Sequence, residues 1–333
     1  MKIVLDAMGG DFGPAPNVEA AVTFARETNH EIVLVGKQEQ VRPLLNQHNT
    51  ANLHLPIVNA TEVIEMDEHP AMAVKSKKDS SMVVGMKLVK GGEADAFVTM
   101  GNTGGALTAA LLHLGRIKGI HRPALSSVYP SAKGWVFVLD IGANADCKPE
   151  YLQQFGLMGS IYSERVLNIR KPRVVLISNG EEETKGNELV QTAHQLLKQM
   201  PINFIGNAEG RDLPGGMADV YVTDGFTGNV IVKLSEGLGS YIKGMLREEI
   251  MRTPISKVGG LLIKEAIARV SKRTDYEEIG GAPLLGVDGV VIVGHGRSNA
   301  RAIRSALMRA AESVERGVVD AIEKGLESMP NRN

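Results

Sequence analysis

Seven titratable side chains, Asp6, Asp11, Asp146, Lys185, Glu188, Asp224 and His295, fall in or beside short stretches of Gly, Asn and Thr that interrupt Val/Ile-rich runs. The stretches are Asp6-Ala-Met-Gly-Gly-Asp11, Gly101-Asn-Thr-Gly-Gly105, Gly142-Ala-Asn-Ala-Asp146, Ser178-Asn-Gly180, Thr223-Asp-Gly-Phe-Thr-Gly-Asn229 and Gly294-His-Gly-Arg-Ser298. Small residues let backbone N–H groups approach an anion, and Asn, Thr and Asp add short, stiff polar contacts. A group of such loops suits holding a phosphate-sized anion and stabilising a developing oxyanion. One of them alone reads equally well as a tight βα turn, which needs Gly and Asn anyway. Six after strand-like runs point to one crevice at the carboxyl ends of parallel strands.

Other chemistries lack their parts. There is no Gly-x4-Gly-Lys-Ser/Thr loop, no His-Glu-x-x-His, no paired cysteines and no Gly-x-Ser-x-Gly elbow. Gly294-x-Gly296 looks like the start of a dinucleotide site, but Asn299 stands where a third glycine belongs and no later strand offers a ribose-binding acid. No nicotinamide or other cofactor is expected. Asp6, Asp11 and Asp146 would make a Mg²⁺ site only if the fold gathered them, and phosphate held by N–H groups needs no metal. Cys147, the single cysteine, reads either as a nucleophile without a histidine pattern or as an inert buried thiol. Phosphate is itself nucleophilic near neutral pH, its second ionisation lying at about 6 to 7. A thiol with a pKa of about 8.5 departs with little help. Direct transfer of an acyl group from a thioester to phosphate would therefore require positioning and charge stabilisation only.

The elements that must position these residues alternate. Strands are expected at Ile3–Asp6, Glu31–Gly36, Leu53–Asn59, Ala96–Met100, Trp135–Ile141, Arg173–Ser178, Asn203–Gly206, Val220–Thr223 and Val290–Val293. Helices are expected at Val18–Glu27, Met82–Lys90, Ala106–Lys118, Pro149–Val166, Glu188–Gln199, Asn229–Arg252, Ile255–Lys272 and Asn299–Gly325. Several strand runs are continuously apolar, as strands covered on both faces are. The alternation predicts an α/β fold: a largely parallel open sheet with helices on both faces, in two lobes sharing the sheet over residues 1–333. With 43% apolar and 23% charged residues the chain is globular, and a net charge of −1 gives no nucleic-acid footprint. No apolar stretch is long enough to span a bilayer and no signal peptide is visible, so a cytoplasmic protein is expected.

One segment, 229–275, breaks the rhythm. Leu234, Leu238, Tyr241, Ile242, Met245, Leu246 and Ile250 follow helical spacing. Thr253-Pro254 then suits a cap followed by proline at the first position of a second helix. From Lys243 to Arg273 eight basic residues stand against three acidic ones. The pattern predicts a projecting helical hairpin that pairs with its twin. Its tip, with Ile255, Val258, Leu261 and Leu262 beside Lys257 and Lys264, is suited to an anionic surface such as a membrane or an acidic carrier protein.

The series Asp6-Ala-Met-Gly-Gly-Asp11, Gly101-Asn-Thr-Gly104, Asp140-Ile-Gly-Ala-Asn144, Lys185-Gly-Asn-Glu188, Gly206-Asn207, Asp224-Gly-Phe-Thr-Gly-Asn229 and Gly280-Gly281 resembles the bacterial acyl-acyl-carrier-protein:phosphate acyltransferase family of phospholipid synthesis. Order, spacing and length match from Met1 to about Glu323. The resemblance implies a fold like those of isopropylmalate dehydrogenase and phosphate acetyltransferase. It also implies conversion of long-chain acyl-acyl carrier protein and inorganic phosphate into acyl phosphate, which a membrane glycerol-3-phosphate acyltransferase then accepts. A homodimer with peripheral membrane association is implied as well.

Beside that resemblance, Lys185 is the first choice for neutralising phosphate or polarising the carbonyl, from a loop that Gly186-Asn187 makes approachable. Asn102, Thr103 and Gly104 suit the phosphate through N–H groups and hydroxyl, or else cap a helix. Asp224 either orients His295 or Lys185, accepts a proton from phosphate, or caps its own turn beside Asn229. His295 could protonate the departing thiolate. Asp6, Gly9, Gly10, Asp11, Asn144 and Asp146 hold loops or line the site, and Glu188 either lines it or pairs with Lys185. Two rival readings share the loops: a short-chain phosphate acetyltransferase using acyl-coenzyme A, and a non-catalytic acyl phosphate sensor. A decarboxylating dehydrogenase of similar fold would need several acids around a metal and a bound nicotinamide.

Overall fold

The computed structural model describes residues 1–273 and 280–329. Its strands are β1 (Lys2–Asp6), β2 (Glu31–Gly36), β3 (Ile57–Asn59), β4 (Ala96–Thr99), β5 (Ala124–Ser131), β6 (Gly134–Leu139), β7 (Val174–Ile177), β8 (Phe204–Ala208), β9 (Val220–Val222), β10 (Ala282–Leu285) and β11 (Val290–Val293). They form one sheet in the order β3-β2-β1-β4-β11-β10-β5-β6-β9-β7-β8. The largely parallel sheet expected from the sequence is present. Only the β11-β10, β10-β5 and β5-β6 pairs run antiparallel.

Those three pairings decide where the loops go. β5 meets β10 only through its first two residues, Ala124 and Leu125, and pairs with β6 from Ser126–Leu139 out to Ser131–Gly134. It therefore runs on past the carboxyl edge of β4 and β11, and β6 returns toward that edge from beyond it. The Ser126 hydroxyl donates to the Pro283 carbonyl, which levels the end of β6 with the end of β11. Since β9, β7 and β8 run parallel to β6, the carboxyl ends of the two parallel sets face one another.

Apolar side chains cover both faces. α1 (Pro14–Thr28) and α11 (Ala300–Glu315) seal one face of the first set with Val18, Phe24, Ile303 and Leu307. α4 (Ser81–Lys90) and α5 (Thr103–Ala109) seal the other through Met82, Met86, Ala106 and Ala109. α6 (Pro149–Arg165) and α7 (Glu188–Lys198) pack on the second set with Phe155, Met158 and Leu197, where Phe137 and Tyr162 stack at 4.6 Å.

Several elements differ from expectation. β5 and β10 were not foreseen, because Pro123, Pro130 and Pro283 flank or interrupt short runs that look like turns. Two short helices, α2 (Gln38–Leu45) and α3 (Pro70–Ser76), were also missed. The strand expected over 53–59 begins only at Ile57. The helix expected over 299–325 is two, α11 and α12 (Val318–Glu327), parted at Gly317, whose φ of 58° breaks the hydrogen-bond ladder. The helix beginning at Ala106 in the sequence begins at Thr103 and widens into a π turn over Ala110–Leu114.

The hairpin consists of α8 (Gly225–Arg252), α9 (Pro254–Leu262) and α10 (Lys264–Arg273), so its second arm is two helices rather than one. Thr253 caps α9 in a reciprocal box with Ser256, as Thr-Pro predicted. Along the whole of α8 only Gly225 and Gly228 are buried. A Cβ on Gly228 would overlap the Asp140 main-chain oxygen, so glycine is what lets α8 start against β6.

Candidate active site between facing strand ends

In the first set of strands, Asp6 organises the turn that follows β1. Its Oδ1 accepts from the N–H groups of Met8 and Gly9, both at 3.1 Å, and its Oδ2 accepts from the Thr99 hydroxyl at 2.7 Å. Burial pushes its carboxyl above the ordinary range even against these bonds. Asn17, on the buried face of α1, donates to the carbonyls of Ala7, Gly9 and Gly13. Gly10, with φ of 100°, lets this turn lie against the β11 loop, where the Asp11 N–H donates to Gly296 O at 2.8 Å. His295, in that loop, is exposed, and its Nδ1 accepts from the Arg297 N–H at 3.2 Å.

Asn102 is spent on structure. Its Oδ1 caps α5 by accepting from Gly105 N–H at 2.9 Å, and its Nδ2 donates to the carbonyls of Glu65, Met66 and Glu68. The amides of Thr103 and Gly104, in the first turn of α5, have no acceptor within the helix. They are the donors that an anion would meet.

In the second set the same device recurs. Asp140, just past β6 and buried, accepts from the N–H groups of Leu125, Gly142, Ala143 and Asn144 and from Asn144 Nδ2. Burial raises this carboxyl too. Asn144 also donates to Pro123 O at 2.7 Å, and its carbonyl accepts from Gly225 N–H at 2.8 Å. Asp224 caps α8, accepting from the Thr227 N–H and hydroxyl, both at 2.8 Å. Asn229 donates to Ile141 O at 3.2 Å. The loops after β6 and β9 are thus one unit, and Ile141 and Ala143 pack on the core that Ala106 and Leu107 of α5 share.

The Lys185 loop follows β7. Lys185 N–H donates to Glu182 O, Gly186 N–H to Asn179 Oδ1, and Gln191 Nε2 to the carbonyls of Thr184 and Gly186. Asn207 donates to Glu182 O while its Oδ1 meets Nδ1 of the buried His194 at 2.8 Å. The backbone is held while the Lys185 side chain stands exposed. Asn187 caps α7 by accepting from Val190 N–H, and Glu188 opens that helix, exposed, with no ion pair to Lys185 among the described residues.

Asp146 is exposed and hydrogen-bonds to nothing among the described residues. There, no group of three His, Cys, Asp or Glu side chains could share a metal ion, so Asp6, Asp11 and Asp146 are not gathered into one. Cys147 is half-buried, its Sγ 3.6 Å from Asn144 O. Burial, with Asp140, Asp224 and Asp146 nearby, pushes the thiol up to about 12, which leaves almost no thiolate at neutral pH. Asp140, Thr99 and Asn17 went without roles at the sequence level. Asn17, a polar residue on an apolar helical stripe, was the one with a visible signal.

Two facing sets of glycine-rich strand ends on one largely parallel sheet make an α/β fold of the kind that solved phosphotransacetylases share. A phosphotransacetylase from Streptococcus pyogenes shares the fold at a TM-score of 0.62 and 19% identity, covering 98% of this chain and 94% of that one. A branched-chain phosphotransacylase from Enterococcus faecalis does so at 0.57 and 13%, covering 94% and 99%. The family described as fatty acid synthesis protein matches residues 1–321. The phosphate acyltransferase of Endomicrobium trichonymphae is 49% identical over 330 residues, 98% of each chain. That of Desulfitobacterium hafniense is 50% identical over 327 residues, again 98% of each. The chain belongs to this fatty acid synthesis family of phosphate acyltransferases, and it is an acyltransferase.

Proposed function

We propose that the protein moves a long-chain acyl group from acyl-acyl carrier protein to inorganic phosphate, giving acyl phosphate for phospholipid synthesis. The observation that carries this reading is that the carboxyl ends of the two strand sets face one another, with the first-turn amides of Thr103 and Gly104 left without acceptors within α5. A phosphate oxygen attacks the thioester carbonyl carbon, the carbonyl oxygen gathers negative charge, and the C–S bond breaks with its electron pair leaving on sulfur. Thr103 and Gly104 N–H groups hold phosphate, and Lys185 neutralises it or polarises the carbonyl. His295 protonates the departing thiolate. Asp224 and Asn229 shape the opposite wall.

The exposed hairpin supports two further contacts, a twin subunit along α8 and an anionic membrane at Ile255, Val258, Leu261 and Leu262. Among the described residues no helix is long and apolar enough to cross a membrane. A membrane glycerol-3-phosphate acyltransferase is the downstream acceptor. The experiment is incubation with phosphate and acyl carrier thioester, following thiol release and acyl phosphate. Phosphate-dependent release that survives Cys147→Ala supports direct attack. Release only from acyl-coenzyme A favours the short-chain acetyltransferase, binding without release favours a sensor, and a stable acyl adduct on the protein overturns the mechanism.

A further inference from the structure

Three large apolar side chains stand open on the segments that frame the first anion loop: Phe12 is 62% exposed, Met66 45% and Met72 70%. A chain of contacts links their segments. Phe12 follows Asp11, whose N–H is bonded to Gly296 O. The Met66 Cε lies 2.9 Å from where a Cβ on Gly296 would stand. Asn102 Nδ2 binds the carbonyls around Met66 and so ties that segment to Thr103 and Gly104. Pro70, which opens α3, lies against Gly104, its Cγ 2.6 Å from a Cβ position there, and Met72 is two residues on.

Single exposed apolar residues are ordinary on any surface. Three on segments that bond to or pack against the Gly296 loop and the Asn102–Gly104 loop make an apolar rim to a polar site, the usual build of a small-molecule pocket. We propose that Phe12, Met66 and Met72 form the groove that takes the hydrocarbon tail of the acyl donor. The proposal rests on the acyl-to-phosphate reading. With the thioester carbonyl beside Thr103 and Gly104, the tail leaves along this rim. Each methylene it buries favours binding by roughly fourfold. Two methionines suit the task, since their unbranched thioethers repack around chains of different length.

The test compares kcat/KM for hexadecanoyl and butanoyl carrier thioesters in the parent, in Phe12→Ser/Met66→Ser/Met72→Ser, and in Phe12→Leu/Met66→Leu/Met72→Leu. The serine variant should lower the hexadecanoyl-to-butanoyl ratio at least about tenfold, the worth of roughly two buried methylenes. The leucine variant should restore most of it. A ratio within about twofold of the parent in the serine variant overturns the groove, as does a change confined to the sedimenting mass, which would assign these side chains to contact between copies. If the parent releases no thiol from either donor with phosphate present, the acyl-transfer reading has failed instead.

Discussion

Thr99, at the end of β4, donates its hydroxyl to the Asp6 carboxylate at the end of β1, 2.7 Å away, with both residues buried. The bond couples two loops of the candidate site through neighbouring strands. Because the Asp6 carboxyl is raised above its ordinary 3.8, the folded protein holds this proton more tightly than the unfolded chain. Asp6 therefore contributes most at or below pH 3.8, and that contribution is lost as pH climbs through the raised value. The Asp6→Asn variant lacks this ionisation. Its urea midpoint relative to the parent should rise with pH across that window, and a constant difference would contradict the argument.

Asn102→Ala removes a helix cap and three carbonyl contacts at once. The cap is worth about 1 kcal/mol and the orphaned, part-buried carbonyls about as much again. We expect a loss of about 2 kcal/mol in denaturant unfolding, together with a raised KM for phosphate. Asn102→Asp should keep the cap and lose the clamp, recovering only part of the stability.

Lys185→Ala leaves the loop backbone bonds intact, since they run through main-chain atoms, Asn179 and Gln191. A role in charge stabilisation predicts a fall in acyl phosphate formation of at least about a hundredfold, some 2.7 kcal/mol of barrier, with little change in melting temperature. Activity within about threefold of the parent would remove Lys185 from the mechanism.

Leu261 and Leu262, 71% and 81% exposed, cost nothing in packing when changed. Leu261→Glu/Leu262→Glu should abolish sedimentation with anionic vesicles while leaving carrier turnover in solution. Vesicle binding equal to the parent's would defeat the membrane contact.

Much of the site was legible locally. Val/Ile runs that stop at Asp6, Met100 and Thr223 marked strand ends to within a residue, and Asn102 and Asp224, read as possible caps, each cap the helix that follows. Other features were hidden because their partners are remote. Asn102 reads as a cap from its neighbours, but its hold on Glu65, Met66 and Glu68 spans more than thirty residues. The break at Gly317 was masked by an apolar period that resumes in phase with the helix before it.

The chain alone determined its class, the loops rich in Gly, Asn and Asp, and the helical hairpin, because turn chemistry, capping and apolar periodicity act between residues a few positions apart. Only the tertiary structure decided that those loops face each other. That depends on β5 running on past the carboxyl end of β11 and β6 coming back beside it, a register set by hydrogen bonds between strands far apart in sequence. It likewise decided that Asp6 and Asp140 are buried, each surrounded by the N–H groups of its own turn, since burial follows from how the layers pack.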